Sequence, residues 1–173
     1  MMKASQTSRK KPEQSSGAVT IQDDEVVWHN ADLVFAIFNL SDVAVIGEHT
    51  NSSGPWFDDW FLDVVTKDGR WFSIPWYADN IEELTRILSD RFQQDLNTSF
   101  LTNSTTWASV IRYPGHLKSR PLFKVIPTKN FKAPKTVFDK MLFVLGMGRF
   151  DTTKTLALTE EVDKELTSSH RHT

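Results

Sequence analysis

The Asp68-Gly69 pair, set between two runs of aromatic and β-branched residues, constrains this chain more than any other stretch. Asp-Gly is favoured in two-residue hairpin turns because both central positions can need φ above zero. Such a turn pairs Lys67 with Arg70. Counting outward then sets Val65 opposite Phe72, Asp63 opposite Ile74 and Phe61 opposite Trp76 on one face, with Thr66 and Trp71, Val64 and Ser73, and Trp60 and Tyr77 sharing the other. Neither face is polar. A hairpin of this kind must be covered on both faces or offer one to a partner, because two strands alone are marginal in water.

The helix that follows is announced by its start. Asn80 with Glu83, or Asp79 with Glu82, can form a capping box, and apolar residues then recur at Ile81, Leu84, Leu88, Phe92 and Leu96 with Ile87 alongside. The period predicts an amphipathic helix over 81–96 whose apolar stripe docks on the hairpin. Before it, Val26-Val27-Trp28, the run 33–38 and the run 43–46 read as strands, the last two as buried ones because they are nearly continuous apolar runs between breakers. After it, 107–113 and 122–127 read as strands, 137–145 as a short helix, and Thr159, Val162 and Leu166 as a final helical turn or two. The expected fold is α+β: an antiparallel sheet of about five to seven strands, one main amphipathic helix (81–96) and a short C-terminal helical segment. Residues 24–166 form one globular domain in this reading, between disordered tails at 1–23 and 167–173.

A strand pair followed at once by one amphipathic helix, and preceded by a strand-like run ending Leu40-Ser41-Asp42-Val43, resembles the small bacterial pleckstrin-homology-like domains over roughly residues 32–96. In size and composition the chain is also similar to small bacterial immunity proteins, which bind and block a toxin made by the same cell. The second resemblance implies a protein-binding role. Neither carries a motif, so no residue role comes over from either family.

Composition removes several chemistries. The chain has no cysteine, which excludes disulfides, thiolate metal sites and cysteine nucleophiles. No apolar run approaches the roughly 20 residues that span a bilayer, and the first residues, MMKASQTSRKKPEQSSG, are polar where a secretory signal has an apolar centre. The expectation is a soluble, cytoplasmic protein without a membrane partner. The net charge of −2 conceals a segregation: residues 25–111 hold thirteen acidic and four basic side chains, residues 112–154 two acidic and ten basic. The two segments either neutralise each other in the fold or form opposite poles that steer a charged partner.

Candidate functional residues cluster around the polar stretch 47–55, GEHTNSSGP, read as a loop. Glu48 and His49 lie in it, and Trp56, Phe57, Asp58, Asp59 and Trp60 follow. The acidic residues and His49 lack a ligand spacing, so neither metal nor cofactor is expected. Asp58 and Asp59 are consecutive and would point to opposite faces of a strand, which rules out a shared carboxylate pair unless the strand is bulged there. Aromatic anchors beside carboxylates suit a protein interface, and the preferred reading is a non-catalytic cytosolic binding module that contacts another protein, such as a basic toxin, through Glu48, His49, Trp56, Asp58, Asp59 and Trp60. An enzyme of hydrolase type built on Glu48, His49, Asp58, Asp59 and Asp63 is the alternative from a different class. Nucleic-acid binding would use 112–140, where Arg112, His116, Lys118, Arg120 and Lys124 are interleaved with Tyr113, Phe123 and Phe131, but the acidic first half would repel a polyanion. Gly146-Met147-Gly148 lacks the third glycine of a nucleotide loop and reads as a helix end, and His170 and His172 as inert tail residues.

Overall fold

Residues 60–75 form the expected hairpin, closed differently from the expected turn. In the structure, a computed structural model that describes residues 16–51, 58–96, 101, 106–127 and 154–169, strand β5 (Trp60–Thr66) runs antiparallel to β6 (Trp71–Pro75). The Thr66 amide donates to the Arg70 carbonyl and the Gly69 amide to the Thr66 carbonyl, both at 2.8 Å, while Gly69 takes φ 83°. The loop is therefore Lys67-Asp68-Gly69, three residues ending on a left-handed glycine. Asp68 holds it: its carboxylate accepts from the Thr66 hydroxyl and, at 2.6 Å, from the Arg70 guanidinium. The extra loop residue corrects the register by one, so that Val65 faces Trp71, Val64 faces Phe72, Asp63 faces Ser73 and Leu62 faces Ile74. A slip of one exchanges every cross-strand partner. Asp63 thereby meets a serine hydroxyl.

The same loop supplies a pH-dependent contribution. Hydrogen bonds from Thr66 and then Arg70 hold the Asp68 carboxyl at about 2, below its ordinary 3.8. A depressed acid stabilises the fold above the ordinary value and ceases to do so as pH falls through the folded value. The effect is small because the Asp68 and Arg70 side chains are both more than half exposed and solvent screens them. The expected result is an Asp68 side-chain resonance with a midpoint near 2, and a stability loss between about pH 4 and 2 that is shallower in Asp68→Asn; identical profiles for the two proteins refute it.

The hairpin belongs to a central antiparallel sheet ordered β6-β5-β4-β7, with β4 (Val43–Thr50) and β7 (Ala108–Tyr113). A second sheet has the order β1-β2-β3, made of β1 (Ala18–Gln22), β2 (Glu25–Asn30) and β3 (Leu33–Asn39). A third pairs β8 (Phe123–Pro127) with β9 (Lys154–Leu158). The described residues also include two α-helices, α1 (Ile81–Phe92) and α2 (Glu160–Ser169), and two single 3-10 turns at Leu40–Asp42 and Gly115–Leu117. The fold is α+β, and its strands are dealt into three antiparallel sheets, nine strands in all among the described residues.

Both faces of the hairpin are covered. On one, Leu62, Val64 and Ile74 pack with Ile81, Leu84 and Leu88 of α1 and with Val19, Val26, Trp28 and Phe38 of the outer sheet. On the other, Val65, Ala44 and Ile111 pack with Phe123, Leu158, Val162 and Leu166 of β8, β9 and α2. Leu62, Val64, Val65 and Ile74 are each 0% exposed, which is what an apolar pattern on both faces of a strand requires.

Several boundaries differ from expectation for identifiable reasons. Residues 18–22, inside the stretch read as a tail, form β1: Val19 is buried, and its amide and carbonyl bond to the Asp79 carbonyl at 2.8 Å and the Asn80 side chain at 3.0 Å. That docking displaces the expected capping box. Asn80 sits in the left-handed region (φ 66°) with its amide turned to β1, and Glu83 pairs with Arg86 at 2.6 Å. The helix ends at Phe92 instead of 96: Gln93 turns left-handed (φ 51°) and the Gln94 amide closes onto the Ser89 carbonyl at 3.1 Å, a Schellman-like end. Leu96 still reaches the core, past the helix. Strand β4 continues through Gly47, Glu48, His49 and Thr50, so the expected loop beginning at Gly47 is corrected to a buried central strand whose polar side chains find partners inside. The expectation that β3 is buried is corrected as well, because it lies at the edge of its sheet with Leu33, Val34 and Ile37 exposed. Helix α2 runs to Ser169, into the stretch read as a C-terminal tail. The segment 137–145, Gly146-Met147-Gly148, His170 and His172 lie outside the described residues.

Candidate functional site

Alternation along β4 sends Glu48 and His49 to opposite faces of the central sheet, and this decides what the polar residues can do together. On the α1 face, Glu48 is 0% exposed and Arg112 of β7 is 1% exposed, their Oε1 and Nη1 atoms 3.7 Å apart. The Trp60 indole donates to Glu48 Oε2 at 2.9 Å, and Arg112 Nη2 donates to the Asp95 carbonyl at 3.0 Å. Burial draws the Arg112 guanidinium below its ordinary value, opposed by the charges of Glu48 and Asp95. Trp60 also stacks on Trp76 at 4.6 Å between ring centroids.

On the other face, Asp63 accepts from Ser73 Oγ at 2.6 Å and bonds His49 Nδ1 at 2.8 Å. The His49 ring lies flat on Phe61 at 4.7 Å and meets the Phe123 edge at 5.7 Å. Serine and histidine both spend themselves on the carboxylate, in contrast to a relay in which the histidine faces the serine. Asp58 and Asp59, ahead of β5, turn to separate partners: Ser16 Oγ donates to Asp58 and Tyr77 Oη to Asp59, each at 2.7 Å. Burial raises the Asp58 carboxyl, against the lowering effect of Ser16.

The five residues of the enzyme alternative are thus split among four local partnerships on both faces of one sheet. Among the described residues no three His, Cys, Asp or Glu side chains converge on a metal position. Of the residues expected to contact a partner, Glu48 and His49 serve the interior, Asp58, Asp59 and Trp60 are half-buried at the start of β5, and Trp56 lies outside the described residues. The basic loop is dispersed as well. Arg112 is buried beside Glu48, His116 pairs with Glu165 at 2.8 Å, and Arg120 stands 3.7 Å from Glu161 of α2.

The surface that sequence reading missed is the outer sheet. Leu33, Val34 and Ile37 of β3 are 45%, 52% and 49% exposed, and Asp23, Glu25 and Asp32 are exposed at the strand ends around them. One signal of it is written in the chain itself, since residues 16–66 contain no lysine or arginine. The salt bridge from Arg91 to Asp24, 2.8 Å, brings a cation to this sheet from α1. No helix among the described residues is long and apolar enough to cross a membrane. No protein-family model matches this chain, and neither a curated protein nor a solved structure matches it.

Proposed function

We propose that the chain is a non-catalytic, cytosolic binding module that engages a basic protein partner, in the manner of an immunity protein blocking its toxin. The observation that supports this reading is the composition of its first sheet: apolar side chains about half exposed, ringed by carboxylates, in a stretch of 51 residues (16–66) without a lysine or arginine. An acidic rim around an apolar centre matches the anatomy of protein interfaces and speeds encounter with a cationic partner. Asp58, Asp59 and Trp60 extend the same acidic and aromatic character, while Glu48 and His49 act through the fold.

Affinity capture on the full chain at low salt, followed by titration of the captured protein, tests the reading. The expected result is a basic partner whose affinity falls with ionic strength and drops by about tenfold or more when Glu25, Asp32, Asp58 and Asp59 are replaced by lysine. Capture of nothing, or equal affinity for the folded charge-reversed variant at low salt, rejects it.

A further inference from the structure

We infer that the partner docks by adding an extended segment to the edge of β3 that no described strand pairs with, and that this segment is apolar in its middle and carries lysine or arginine at both ends. The inference rests on the protein-binding reading and specifies its surface. Strand β3 pairs with β2 along one edge, and among the described residues no strand pairs with the other. Its seven residues, LVFAIFN, include no charge and no proline, two of the devices that keep an edge from pairing with another chain; a third, a bulge, is confined to Phe35, where the register steps from Val34 opposite His29 to Ala36 opposite Trp28. Ala36 and Phe38 anchor the strand in the core, and Leu33, Val34 and Ile37 remain about half exposed beside that edge. Main-chain bonding along such an edge, supplemented by contacts with the apolar side chains exposed beside it, is the strand-addition mode of peptide recognition.

Charge selects the occupant. Asp32 precedes β3, and Asp58 lies toward the same end of the sheet: Ser16, which it bonds, leads into β1, whose first residue Ala18 stands opposite His29. Beyond the far end, Glu25 pairs with Asn39, Asp23 is close in the chain, and Asp42 accepts from Asn39, while Asp24, bonded by the Ser41 amide, is already met by Arg91. A second copy placed antiparallel on β3 would bring acidic end to acidic end. A segment of roughly 23 Å, the rise of seven extended residues, with a cation at each end complements both.

The test titrates the isotope-labelled full chain with three synthetic peptides: Lys-Lys-Val-Thr-Val-Thr-Val-Lys-Lys, the same core between glutamates, and the lysine peptide N-methylated at alternate core residues. The expected result is amide shifts concentrated at 33–39 with the first, binding about tenfold weaker or worse with the second, and none with the third. Val34→Lys with Ile37→Lys, both at exposed positions and checked for folding by circular dichroism, is expected to abolish the response. Absence of binding by the lysine peptide at millimolar concentration overturns the inference, as do shifts centred elsewhere, equal binding of the glutamate peptide, or β3 amides already protected in a dimer that Ile37→Lys dissociates. The two readings fail separately. If the captured partner binds the Val34→Lys, Ile37→Lys protein normally yet is lost on acid reversal, strand addition is wrong and the binding module stands; if nothing is captured, both fall.

Discussion

Arg112→Ala is expected to destabilise the fold by about 3–5 kcal/mol, because it leaves the Glu48 carboxylate buried without its counter-ion. Both side chains are essentially inaccessible to water, and the guanidinium also satisfies the Asp95 carbonyl after α1. The bond that Glu48 accepts from the Trp60 indole cannot neutralise a charge. Neutralising both ends distinguishes this cause from simple loss of volume: Glu48→Gln with Arg112→Met removes the orphaned charge and is expected to recover a large part of the loss, since apolar or neutral replacements of a whole buried pair are often tolerated. Urea denaturation followed by tryptophan fluorescence measures the three proteins. A loss below about 1 kcal/mol for Arg112→Ala, the range of a surface pair, would show that water reaches Glu48.

Gly47→Val is expected to destabilise the fold as well. A Cβ at this position would stand 2.7 Å from Leu122 Cδ2 and 2.8 Å from the Val110 carbonyl oxygen. The leucine can turn aside, but the carbonyl belongs to β7, paired to β4 along this stretch. Overpacking of this kind costs about 1–3 kcal/mol, with Gly47→Ala toward the lower end and the branched valine at or above the upper. Trimming the leucine in a Gly47→Ala, Leu122→Ala protein relieves one contact and leaves the other. Thermal unfolding should therefore show no full rescue in the double variant relative to Leu122→Ala alone; complete rescue would mean that the β7 backbone yields.

The residues in these two predictions also mark the limit of one-dimensional reading. Gly47, Glu48 and His49 look like the beginning of a polar loop because glycine and charged residues usually mark chain reversals. They are the continuation of a central strand because Arg112 arrives from elsewhere in the chain to meet Glu48 and Asp63 to meet His49. Arg112 carries the signal that could have revealed this: a single cation inside WASVIRY, in a strand with Val110 and Ile111 buried beside it, faces inward and calls for a buried anion.

The α+β class, the hairpin around Asp68-Gly69 and the apolar stripe of α1 were determined by the sequence alone, because each rests on local periodicity or on a turn residue with a restricted φ. The helix does start at Ile81 as expected, but the capping box that announced it is replaced by the contact of Asn80 with β1. Tertiary structure alone decided the division into three sheets, the one-residue shift in hairpin register and the recruitment of 18–22 as β1. It also decided that Leu33, Val34 and Ile37 stay exposed and that Glu48 and His49 are buried on opposite sides of one sheet. The physical reason is common to all of these. A strand's side chains alternate whatever lies next to them, but which face is buried, and whether a charge inside it is neutralised, depends on residues that only the folded chain brings within a few ångströms.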